Sequence, residues 1–138
     1  PTICIEGPLP NRFSLEACGT GYGFVHRESG IDLAHFRGKL PVFTHSFSDS
    51  IISGQIGAGF AEIQLSEDQL GFQFTGGGNE TAGPELSSSI QWIRQLGEQS
   101  ELIMDTNIGA AYFQYGSEMT IPQPTWFPFW EFSAGVGW

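Results

Sequence analysis

Glycine and proline recur through this chain at short intervals, nineteen and eight times, and the apolar runs between them are mostly too short for helices. Such punctuation marks strands joined by turns. Thr2–Ile5 predicts a first strand. Arg12–Val25 predicts a long, glycine-bent strand or hairpin in which Phe13, Leu15 and Ala17 alternate with polar neighbours. Leu40–Phe47 follows, with Leu40, Val42 and Thr44 on one face and Pro41, Phe43 and His45 on the other. Ile56–Leu65 and Leu70–Phe74 predict two more strands around Ser66–Gln69. The pattern resumes at Leu102 and runs through Met104, Ile108 and Tyr112 to Met119. Thr125–Val136 closes the sequence, and Pro122, Pro124 and Pro128, each lacking an N–H donor, place that last strand at a sheet edge.

Two segments read differently. Leu86, Ile90, Ile93 and Leu96 recur at helical spacing, with Pro84 near a permitted first position and Gly97 as a stop, so the spacing predicts one helix over Pro84–Gly97. Asp32–Arg37 reads as a short turn of helix or a tight loop. The expected fold is mainly β (α+β): a partly closed antiparallel β-barrel with one long crossing helix, forming a single domain over 1–138. A chain of 138 residues has room for one core and not for two domains.

Fifteen acidic side chains face five basic ones, a formal net charge of -10, which repels a phosphate backbone and argues against nucleic acid as a partner. The acids are spread from Glu6 to Glu131 with no run longer than Glu67-Asp68, which does not fit DNA mimicry. No stretch reaches the roughly 18 apolar residues of a membrane helix, and no charged-then-apolar leader opens the chain. The aromatic cluster Trp126, Phe127, Phe129, Trp130 and Phe132 is similar to the girdle of an outer-membrane strand. Pro128 interrupts it, though, and the rest does not read as regular ten-residue alternating segments, so no membrane role is expected. Cys4 and Cys18 lie close enough in sequence to bond. Two cysteines do not make a disulfide scaffold, and the pair reads as reduced, buried thiols of a cytoplasmic product.

His26, His35 and His45 match no zinc spacing, and Gly19–Gly23 lacks the glycine and lysine positions of nucleotide loops, so neither metal nor cofactor is expected. Hydrolytic chemistry is more informative. A serine protease needs a base, a nucleophile beside it, a group that orients the base, and oxyanion donors. Gly30-Ile31-Asp32-Leu33-Ala34-His35-Phe36-Arg37 followed by Pro41-Val42-Phe43-Thr44-His45 resembles, in order, two segments of the prohead (capsid-maturation) proteases of tailed phages. That family shares its fold with herpesvirus assemblin. Gln55-Ile56-Gly57, Glu67-Asp68, Leu70-Gly71-Phe72, Thr106-Asn107-Ile108-Gly109-Ala110 and Glu131-Phe132-Ser133 continue the likeness from Gly19 to Ser133.

The resemblance implies a serine endopeptidase acting on a capsid or scaffold protein in the prohead within the host cytoplasm, possible homo-oligomerisation, His45 as base and Glu131 as orienting carboxylate. It places Asn107 where the nucleophilic serine is expected. An amide nitrogen cannot attack as an activated hydroxyl does, so covalent catalysis is expected to fall by a factor on the order of a million. Thr106 has a hydroxyl but, in a strand, on the opposite face. The alternative readings are a non-catalytic β-barrel binding module using Trp126, Phe127 and Trp130, and an acidic capsid scaffold or decoration protein.

Overall fold

The computed structural model describes residues 3–9, 13–19, 31–65, 78–98 and 100–137. Seven antiparallel strands run in sequence order through one sheet: β1 (Ile3–Pro8), β2 (Ser14–Gly19), β3 (Asp32–Phe47), β4 (Ser50–Gln64), β5 (Glu80–Gln95), β6 (Glu101–Tyr112) and β7 (Trp126–Gly137). The sheet curls into a half-barrel with β1 and β7 as its edges. Among the described residues, one turn of 3-10 helix, Gly116–Glu118, interrupts the strands. The predicted Leu70–Phe74 strand and most of Gly19–Gly23 lie outside the described residues.

The helix expected over Pro84–Gly97 is not seen; those residues lie in β5 and the link that follows it. Leu86 and Ile90 are four apart, a spacing that satisfies a strand's period of two as well as a helical turn. Three consecutive serines, Ser87 to Ser89, separate them and favour helix weakly. Pairing then decides, because β5 is laddered to β4 along its whole length and to β6 from Glu85 to Gln95. Pro84 sits one residue outside the β6 ladder, where its missing N–H removes no bond from it. Asp32–Arg37, expected as a turn, opens β3. Pro41 lies at the register shift between Pro41 and Phe43, the kind of irregularity that tolerates proline.

The orientation of the faces is the reverse of a water-soluble barrel. Glu16, His35, Arg37, Lys39, Ser53, Gln55, Glu85, Ser89, Gln91, Asp105 and Asn107 are buried on the concave side. Their strand neighbours Leu15, Phe36, Ile56, Phe60, Leu86, Ile90, Ile108, Trp130 and Phe132 are exposed on the convex side. Twenty-two large hydrophobic side chains are exposed among the described residues and seven hydrophobic residues are buried, so the interior is not held by an ordinary apolar core. Among the described residues an apolar cluster, Ala61, Ile63, Ala111, Phe113 and Met119 with Leu33, Leu65 and Phe127 against it, closes one end of the interior.

That end also carries the long connections. In sequence, the strand ends on that side are separated by the longer stretches, 20–31, 65–79 and 113–125, and those on the other side by the shorter 9–13, 48–49 and 96–100. Of the long connections, 113–125 folds back over the interior. Phe113 N–H donates to Thr125 O at 2.8 Å and Thr120 N–H to Gly78 O at 2.8 Å, which seats Met119 in the apolar cluster.

Candidate functional site: a charged barrel interior

Three basic residues alternate on the inner face of β3: His35, Arg37 and Lys39, with 2%, 1% and 2% of their surface exposed. Ala34, Phe36, Gly38 and Leu40 take the intervening, outward positions. Carboxylates from five other strands converge on this ladder. Lys39 Nζ donates to Glu6 on β1 at 3.0 Å and Glu16 on β2 at 2.8 Å, and reaches Asp105 on β6 at 3.4 Å. Arg37 pairs with Glu16 through Nε, with Glu131 on β7 through Nη2 at 2.7 Å, and faces Glu85 on β5 at 3.7 Å. His35 pairs with Glu85 through Nδ1 and with Glu131 through Nε2 at 3.0 Å. The Phe129 ring lies 4.7 Å from the His35 ring and 5.7 Å from the Arg37 guanidinium carbon.

β4 contributes space instead of charge. Gly57 is paired with Lys39 and Gly59 with Arg37. A Cβ on Gly59 would stand 2.0 Å from Phe36 O and 2.6 Å from Arg37 Cα, so only glycine permits this approach. Farther along the interior a neutral layer follows, in which Gln55 Nε2 donates to Gln91 Oε1 at 3.1 Å and Gln91 Nε2 to Glu6 Oε2 at 3.2 Å.

Burial penalises every one of these charges, and the outcome is set by who faces whom. One cation, Lys39, faces Glu6, Glu16 and Asp105, whereas His35 and Arg37 both reach Glu85 and Glu131. Negative charge is therefore under-compensated at the Asp105 end.

Beside that end lies a cavity of about 710 Å³ between the two edge strands, lined by Cys4, Glu6 and Glu16 on one side and Gln91, Asp105 and Phe132–Gly137 on the other. Cys4 and Cys18 face each other across β1 and β2 and are joined by a disulfide, which corrects the expectation of free thiols. The pairing places them directly opposite on adjacent strands, which sequence separation alone does not show.

Of the three residues expected to form a catalytic site, the structure brings two together. Asn107 Nδ2 donates to Glu131 Oε2 at 3.3 Å inside the barrel. His45 is paired with Ile52 near the β3–β4 turn, exposed on the outer face, with its ring against Phe47. Asn107 and His45 thus stand on opposite faces of the sheet, and the imidazole that meets Glu131 is His35. No group of three or more metal-ligating side chains is arranged for a metal among the described residues. The basic ladder had a legible signal, since His35-Phe36-Arg37-Gly38-Lys39-Leu40 alternates charge with apolar or small residues at strand period. No known protein family, characterised protein or solved structure matches this chain.

Proposed function

We propose that this chain forms the wall of a transmembrane β-barrel, with lipid against its convex face and the charged ladder as its interior filling. The observation that carries the reading is the inversion of faces: apolar side chains point outward on all seven strands while the buried side is ionic. In hydrocarbon an apolar exterior costs nothing, and a barrel satisfies its backbone groups between strands. In water the same exterior would be a patch far larger than a monomer ordinarily exposes.

The dimensions agree. Outward residues on β7 run from Trp126 to Val136, about 33 Å of strand at 3.3 Å per residue and roughly 25 Å of height at a 40° tilt, the thickness of a barrel's apolar band. Charges at outward positions of the strands are confined to the ends, at Asp32, Glu80 and Glu62, the last of these buried at 4% exposure, toward the long connections and at Arg94 toward the short turns. Tyr112 and Trp126 pack edge to face at one rim, an interfacial position that suits rings with a polar edge. Short turns on one side and long connections on the other are usual in such barrels. No helix among the described residues is long and apolar enough to cross a membrane; here the strands would cross. The Cys4–Cys18 disulfide fits assembly in an oxidising compartment.

Beside the cavity of about 710 Å³ at the Asp105 end, buried side chains occupy the interior. A barrel of this width is filled by its side chains, and the Phe113–Met119 cluster closes one end, so the wall serves as an anchor that presents the long connections on one side of the bilayer. The test is refolding into vesicles containing brominated lipid. Strong quenching of tryptophan emission is expected, since Trp126 and Trp130 are 65% and 73% exposed. A water-soluble monomer, or an oligomer that ignores vesicles and shows no quenching, would overturn the reading.

A further inference from the structure

The two edges of the sheet run in the same direction, because seven strands alternate and both β1 and β7 are odd-numbered. They make no ladder with each other, although the interior already reaches across the gap. Following the register outward from Glu6 leads through Glu16, Arg37, Gly59, Glu85 and Ala111 to Phe127 on β7. The groups that meet Glu6 lie elsewhere: Gln91 donates to it, and Lys39 links it to Asp105, whose β7 partner is Ser133. The sheet therefore returns on itself displaced by the six positions from Phe127 to Ser133, roughly 20 Å along the strand, which is the stagger a closing barrel requires. The cavity of about 710 Å³ occupies this seam.

We infer that the seam between β1 and β7 receives one further β-strand, from outside these 138 residues, antiparallel to both edges, with apolar side chains outward and at least one lysine or arginine inward. Direction selects one strand over a second copy of this sheet, since joining β7 of one copy to β1 of another around a common axis would make parallel pairs. Charge selects the inward residue. The ion-pair network holds five carboxylates, Glu6, Glu16, Glu85, Asp105 and Glu131, against His35, Arg37 and Lys39. The excess lies at Glu6 and Asp105, both of which line the seam. Ala134, Gly135 and Gly137 on the β7 side leave room for a long basic side chain to pass. The inference deepens the membrane reading, because an open pair of edges in hydrocarbon would leave backbone N–H and C=O groups without partners.

The test adds synthetic eleven-residue peptides to the chain refolded in micelles: an alternating strand with one inward lysine, the same strand with glutamate there, and a scrambled order. The lysine strand is expected to bind one to one, about tenfold more tightly than the glutamate strand, and to slow amide exchange along both β1 and β7. Glu6→Gln is expected to narrow that preference while β3 and β4 keep their protection. Equal binding of all three peptides, protection of only one edge, edges already as protected as β3 and β4 without peptide, or association of two chains through these edges would each overturn it. Bromolipid quenching on parallel vesicle samples separates the two claims. Quenching without peptide binding removes the extra strand and leaves the membrane wall, and binding without quenching does the opposite.

Discussion

The inner and outer faces of the same strands obey opposite rules. On β3 a step of one residue goes from Arg37, 1% exposed and gripped by Glu16 and Glu131, to Phe36, 43% exposed on the convex side. Specificity resides inside, where each charge has named partners. Outside, under the proposed membrane reading, Phe36, Phe60, Leu86 and Ile108 need only be apolar, because a fluid hydrocarbon does not select shape as a packed core does. Changes on the two faces should therefore fail in different ways, and the sharpest contrast comes from charge itself.

Removing an inner charge should have the largest effect. Arg37→Met keeps much of the side-chain volume but leaves Glu16, Glu131 and Glu85 facing one another without the guanidinium. Losing one partner of a buried ion pair costs about 3–5 kcal/mol. Urea titration of the refolded chain in vesicles should show a shift of that order. A change below about 1 kcal/mol would mean that the interior is wet enough to screen these groups, and the contrast between faces would weaken.

Adding an outer charge should come next. Leu86→Arg places a guanidinium at a position 70% exposed. In water such a surface change is worth within about 0.5 kcal/mol, but near the middle of a bilayer it costs about 2–4 kcal/mol. The same titration in vesicles, repeated without lipid, therefore separates the two environments by size of response: loss in lipid and indifference in water.

How far these features can be read from the residues depends on which physical signal they leave. Strands were legible at Phe13–Ala17 and Ile56–Leu65 because alternation is local. The direction of each face was not, since alternation in Leu40–Phe47 is the same whether water or lipid lies outside. Ile90 misled because a step of four residues belongs to both periods, and only the neighbouring strands decide between them. Asn107 and Glu131 meet through the β6–β7 register; His35, which completes their surroundings, is separated from Glu131 by ninety-six positions and needs the curl of the whole sheet to reach it. The charged ladder was visible as alternating residues in β3, but its carboxylate partners come from five strands, and no local pattern assembles those.

The smallest effect should come from His45, and it tests whether the two faces are independent. His45 is exposed beside Phe47 near a two-residue turn, and takes no part in the ion-pair network of the inner face described above. His45→Ala should change stability by less than about 0.5 kcal/mol, and Asn107→Ser combined with an intact His45 should give no self-cleavage product by mass spectrometry. The reason is geometric: an imidazole on the convex side cannot come within hydrogen-bonding reach of a hydroxyl on the concave side without breaking the ladder between β3 and β4. A cleaved product that disappears when His45 is replaced would show that the sheet opens to bring both faces together, and the separation on which the comparison rests would be lost.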